Sequence, residues 1–240
     1  MAPRPSAMPR SIPRPAALVL ALALSACADR DDPAAPDCCA IPEPLPTFAG
    51  SFLPLDDGAS VPGFARFRDS LRSVVARQDT AALLARVAPG AQASFSGTAT
   101  GPDAFRAVWF SGPTPNGLSL WRTLGAVLEA GSVEEDGAIT APYVYGMWPG
   151  EKDPGAHVAI VRGDVTAYAQ PGGIGPVAEV AHIILPTGGA AAGGWQPIRL
   201  PNGDAAYVPS DVALGPAGYR ASFWEDAEGR WRLQSFLADG

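Results

Sequence analysis

Gly194-Trp195-Gln196-Pro197-Ile198-Arg199-Leu200, then Pro201-Asn202-Gly203-Asp204, then Ala205-Ala206-Tyr207-Val208 is the stretch on which the fold turns. Gln196 and Arg199 alternate, imperfectly, with Ile198 and Leu200, the pattern of a strand with one face inward. Asn202-Gly203 supplies the positive φ angles that a tight hairpin demands, so two antiparallel strands are predicted. Pro197 has no N–H for a ladder, which places its strand at an edge or a local bend. Pro209 is expected to end the second strand and let residues 210–212 turn as a short helical bend.

Working outward, further short apolar runs at residues 138–148, 157–161, 165–169 and 177–185 are punctuated by Pro, Gly, Asn and Asp. Such spacing indicates a small barrel or sandwich and not a parallel sheet. Gly and Pro number 27 and 26 of 240 residues, which favours strands and turns over long helices.

Residues 164–214 resemble the bacterial SH3-like (SH3b) domain. The resemblance runs through Val165-Thr166-Ala167-Tyr168, the Gly/Pro-rich turn 170–176, the strand 177–185, the hairpin quoted above and Ser210-Asp211-Val212. Pro197 within a strand and the long low-complexity loop 186–194 depart from the family. The resemblance implies a barrel at residues 151–215 that binds peptidoglycan or a peptide, or serves as a targeting or scaffolding module. Tyr168, Trp195 and Tyr207 are the candidate ligand-binding residues, with Asp211 as a polar partner. Trp195 and Tyr207 also occupy positions that fill the barrel core, so both roles stay open for them. Tyr143, Tyr145 and Trp148 extend the aromatic supply on the preceding strand.

Residues 63–150 read as a small helical α+β unit. Phe64, Phe67, Leu71, Val74 and Val75 form an apolar stripe on a helix ending near Gln78. Asp79 is an N-cap for a second helix over residues 80–87, which Pro89-Gly90 should stop before a strand at 91–95. Residues 102–109 and 118–129 are helical candidates, the latter closed by Gly131. Trp109 and Trp121 lie at helical spacing, where aromatics are core residues more often than a ligand platform. The opening of this unit resembles nuclear-transport-factor-2-like folds, which implies a pocketed α+β body. Residues 218–224 and 230–237, joined by the acidic turn 225–229, form a C-terminal hairpin (216–240) expected to pack back on residues 63–150. The fold class is therefore α+β: a helical unit, then a β-rich region containing the SH3-like barrel, then the hairpin.

At the amino end, Arg4, Arg10 and Arg14 precede an apolar run over residues 16–24, too short to span a bilayer. Leu24-Ser25-Ala26-Cys27 resembles the lipobox of bacterial lipoproteins. The resemblance implies a signal peptide at residues 1–26, lipidation of the Cys27 sulfur and a cell-envelope location. By the same resemblance, Ala28 in place of Asp after the cysteine points to the outer membrane, facing the periplasm, while Asp29 one position later leaves the inner membrane open. Residues 27–62, rich in Pro and Ala, read as a tether. Adjacent Cys38 and Cys39 are poorly placed for a mutual disulfide, because neighbouring Cα atoms sit ~3.8 Å apart where bridges prefer ~4.4–6.8 Å. Pairing with another chain and free thiols are the alternatives.

The whole chain carries 17 Lys+Arg against 24 Asp+Glu, a net charge of −7, and loss of residues 1–26 removes three arginines and no acid. That balance opposes nucleic-acid binding and peripheral attraction to anionic lipid, so membrane residence should rest on acyl chains. No cysteine follows Cys39, and His157 and His182 are the only histidines, so a Cys–His nucleophile or zinc site is not expected. No G-x-S-x-G, H-E-x-x-H or P-loop pattern is present, and no cofactor is implied. Acidic clusters such as Glu134-Glu135-Asp136 read as solvated turns. The leading expectation is a non-catalytic envelope lipoprotein whose SH3-like domain binds a peptide, peptidoglycan or a protein partner. A structural assembly subunit without a small ligand, and a pocket protein or enzyme on a transport-factor-like fold, are the alternatives.

Overall fold

The computed structural model describes residues 43–94 and 97–237. Cys27, Cys38 and Cys39 lie outside the described residues. The described residues from Pro44 onward form one compact unit, with mixed α and β structure: five α-helices among the described residues, and strands dominating after residue 131.

Residues 44–62, read from sequence as part of the tether, are built into this unit. Strand β1 (Thr47–Ala49) runs parallel to β7 (Ile174–Ala181), with Thr47 opposite Glu179. Phe52 packs against Tyr143 with ring centroids 5.1 Å apart. Proline content alone does not keep a segment extended in solvent when an open sheet edge and an apolar pocket are available to it.

Helix α1 (Pro62–Ala76) starts with Pro62, whose missing N–H is harmless in the first turn. It buries Phe64, Leu71, Val74 and Val75. Helix α2 (Thr80–Leu84) is capped by Asp79, whose carboxylate accepts the Ala82 N–H at 2.9 Å. It stops three residues earlier than sequence suggests, and Pro89-Gly90 falls inside β2 (Val87–Gln92). β2 is an edge strand paired parallel to β13 (Trp231–Leu237) at Val87 and Gln92, with an irregular register between. Pro89 sits in that slack, where no ladder N–H is required. Helices α3 (Gly101–Trp109) and α4 (Leu120–Glu129) follow, the latter capped by the Ser119 hydroxyl. Gly131 turns with φ +78°, and a Cβ there would stand 2.3 Å from the Leu55 carbonyl oxygen.

β3 (Val133–Glu135) and β4 (Ala138–Ala141) complete a five-stranded sheet in the order β2-β13-β12-β4-β3, where β12 is Arg220–Glu225. The C-terminal hairpin β12–β13 thus lies in the middle of the sheet that the helices cover. Phe223, Leu233 and Phe236 are fully buried with Phe64, Phe105 and Leu124 in one core. Burying each such side chain stabilises the fold by about 1.5–3 kcal/mol.

The strand expected at residues 138–148 ends at Ala141, because Pro142 offers no N–H and the chain turns into helix α5 (Val144–Met147). Tyr143 is fully buried and donates its hydroxyl to the Phe52 carbonyl at 2.8 Å. Tyr145 is exposed under the Arg220 guanidinium, and Trp148 Nε1 donates to the Lys152 carbonyl. These three aromatics therefore do not sit on a strand.

The β-rich region comprises β5 (His157–Ile160), β6 (Val165–Gln170), β7, β8 (Ile184–Pro186), β9 (Trp195–Arg199), β10 (Ala205–Pro209) and β11 (Ala213–Leu214). It is not a closed barrel. One sheet has the order β1-β7-β6-β10-β9 and a second β11-β5-β8. Both contribute to a second core containing Ile160, Ala167, Val180, Leu185, Ile198 and Val208. The continuous strand expected at 177–185 breaks at His182, whose φ of 46° redirects the chain so that Leu185 enters the other sheet. β9 is an edge, the position Pro197 demands. β10 continues through Pro209, which stands opposite Trp195 beyond the single residue pair that β10 shares with β6.

Candidate binding face

Alternation along the large sheet divides its side chains. Ala167, Ala178, Ile198, Ala206 and Val208 turn inward to the second core, while Tyr168, Trp195, Pro197, Tyr207 and Pro209 are half-buried on the opposite face. Tyr207 on β10 stands opposite Tyr168 on β6 and, across its other edge, opposite Pro197 on β9. Trp195 meets Tyr168 edge to face, with ring centroids 5.7 Å apart and planes at 89°. This geometry favours an aromatic pair by about 0.5–1.5 kcal/mol beyond area burial. Pro176 is paired opposite Tyr168. The β6–β7 turn covers one end, where a Cβ on Gly173 would lie 3.8 Å from the Tyr168 ring and 3.9 Å from Trp195.

The result is a continuous strip of rings and prolines held by four strands, β6, β7, β9 and β10. Aromatic and pyrrolidine surfaces of this kind bind extended ligands with little loss of side-chain freedom, because their rotamers are already fixed by neighbours. Tyr168, Trp195 and Tyr207 come together as one face. Pro176, Pro197 and Pro209 belong to it as well, and cross-strand register from the Asn202-Gly203 turn is the signal that points to the last two.

Asp211 is elsewhere. Its carboxylate accepts from Arg122 Nε of α4 at 2.8 Å, and no hydrogen bond or ion pair joins it to the three aromatics among the described residues. It lines a cleft of about 450 Å³ with Arg72, Arg162 and Glu129. Arg162 pairs with Glu129 at 2.6 Å and Arg72 donates to the Leu128 carbonyl at 2.7 Å, so the guanidinium groups there are already engaged by protein acceptors. Asp211 reads as a strut between the β-rich region and α4. Trp109 is buried in the first core and Trp121 packs against its edge.

Among the described residues no group of three or more His, Cys, Asp or Glu side chains is arranged to hold a metal ion, and no helix is long and apolar enough to cross a membrane. Compared with known proteins, the chain matches no protein-family model, no curated protein and no solved structure.

Proposed function

We propose that this chain is a non-catalytic cell-envelope lipoprotein, anchored through Cys27 at the outer membrane, whose SH3-like β-rich region binds a peptidoglycan strand or an extended peptide in the periplasm. The observation that carries the binding role is the placement of Tyr207 between Tyr168 and Pro197, with Trp195 set edge-on against Tyr168. A flat strip of rings on an open sheet suits an elongated polymer better than a compact metabolite. The anchoring role is supported by the charge, apolar run and Leu24-Ser25-Ala26-Cys27 order at the amino end. The acidic balance of the chain fits a protein held by acyl chains and not by basic contacts.

The test has two arms in cells. Cys27→Ser should release the protein from the detergent-phase membrane fraction, and continued partitioning would remove the anchor. A photo-crosslinking residue at Ala205, exposed beside Tyr207 along β10, should give a high-mass adduct collapsed by muramidase or, for a peptide ligand, by protease. An absence of any adduct at Ala205, with expression unchanged, would contradict the binding face.

A further inference from the structure

Strand β9 sends Trp195 to the aromatic strip and Gln196 into a cleft on its other side, of about 530 Å³. That volume lies within the ~300–1,000 Å³ range of small-ligand sites. One wall is the low-complexity loop that has no counterpart in the SH3b pattern, and it is pinned in place. The Thr187 N–H donates to the Ala156 carbonyl at 2.9 Å, the Gly188 N–H to Pro197 at 2.9 Å and the Gly194 N–H to Asn116 at 2.9 Å. Gln196 Nε2 holds the Gly189 carbonyl at 3.0 Å. Between these fixed points Gly189, Ala190 and Ala191 present backbone and methyl groups only. A glycine–alanine run without internal packing would be left loose; here it is preorganised, as a binding wall must be to avoid an ordering cost.

Polar side chains around this cleft keep donors or acceptors to spare. Ser210 is 4% exposed, lines the cleft, and has a buried hydroxyl without a hydrogen-bond partner among the described residues. Buried hydroxyls are almost always satisfied, so this one is open to a partner. His157 Nδ1 lies 3.0 Å from the Asp153 carbonyl, which can only accept, so Nδ1 carries a proton. The Tyr219 oxygen accepts the Asn116 N–H at 3.3 Å and keeps its own O–H to donate. Gln196 Nε2 serves two carbonyls, leaving Oε1 as a further acceptor. Among the described residues no Asp, Glu, Lys or Arg lines the cleft, and Val158, Ala213 and Leu214 supply apolar surface. A charged ligand would enter without a counter-charge, which is costly. Mixed donors and acceptors beside methyl-sized apolar walls suit a ring bearing hydroxyls and an acetamido group.

We infer that this cleft is a second binding site, for an uncharged N-acetylated amino sugar, independent of the aromatic strip. The probe is N-acetylglucosamine and its β1,4-linked disaccharide, titrated calorimetrically into the intact chain, with the carboxylate-bearing N-acetylmuramic acid as comparison. The expected result is saturable binding of the uncharged sugars, weakened about tenfold by Ser210→Ala and abolished by Ala190→Trp, with the acidic sugar binding more weakly. Thermal melts of the variants guard against unfolding. No saturable binding by the unmodified chain overturns the inference. Binding by Ser210→Ala and Ala190→Trp equal to that of the unmodified chain also overturns it, by moving the sugar to another place.

Discussion

The Phe223 ring of the last hairpin lies 5.2 Å from the Phe64 ring of the first helix, and both side chains are fully buried. Two segments separated by most of the chain thus share one core, and the strands from β5 to β11 depart from and return to that body. Phe223→Ala should destabilise the protein by about 3–5 kcal/mol. Truncation before residue 216 should abolish the helical circular-dichroism signal along with the hairpin. A helical melt unchanged by the truncation would show that the helices stand without it.

Arg68 is nearly buried in α1 and pairs with Asp56, which also accepts the Ser132 hydroxyl at 2.9 Å. Removing the acid strands a buried guanidinium. Because Asp56 is itself about one-third exposed, water can partly replace it, and Asp56→Ala is expected to cost about 2–3 kcal/mol. Asp56→Ala with Arg68→Met should recover part of that loss. Urea midpoints of the two variants decide it.

At the hairpin turn, partial desolvation pushes the Asp226 carboxyl up, but the Arg230 N–H and the guanidinium groups of Arg232 and Arg230 outweigh it and hold the group at about 2. A depressed carboxyl contributes stability above its unfolded value, near ~3.9, and loses it as pH falls through about 2. Asp226→Asn should therefore lower stability across the neutral region and flatten the acid limb between those values, the two proteins converging as pH falls to about 2. An unchanged acid limb would contradict the pairing.

Burial pushes the Tyr143 hydroxyl up to about 12. Its stabilisation is complete below the ordinary tyrosine value of ~10 and is lost as pH rises from there through the raised value. Tyr143→Phe removes the hydrogen bond to the Phe52 carbonyl and should cost about 1 kcal/mol at neutral pH, while reducing the loss of stability at alkaline pH. Equal alkaline sensitivity in Tyr143→Phe would assign that sensitivity to other groups.

Much of this architecture is readable in local patterns. The stripe Phe64–Phe67–Leu71 marks α1, Asp79 marks the start of α2, and Pro197 marks an edge strand, because each signal acts within a few residues of its effect. Pairings between distant segments leave no such mark. Thr47–Ala49 reads as proline-flanked tether until the open edge of β7 is known. Residues 177–185 read as one strand because the turn at His182 uses a residue with weak turn preference. Three of the four candidate binding residues gather because Tyr168, Trp195 and Tyr207 share a face by period and register. Asp211 is close to them in sequence, but the chain turns after Pro209 and the carboxylate goes to Arg122.

The most direct measurement is co-sedimentation of residues 44–240 with purified sacculi, comparing the unmodified protein with Tyr168→Ala/Trp195→Ala/Tyr207→Ala. The account predicts that the unmodified protein pellets saturably and that the triple variant, still folded by circular dichroism, binds at least about tenfold more weakly. Equal pelleting of the two proteins, or no pelleting of either sacculi or proline-rich peptide beads by the unmodified one, would contradict it.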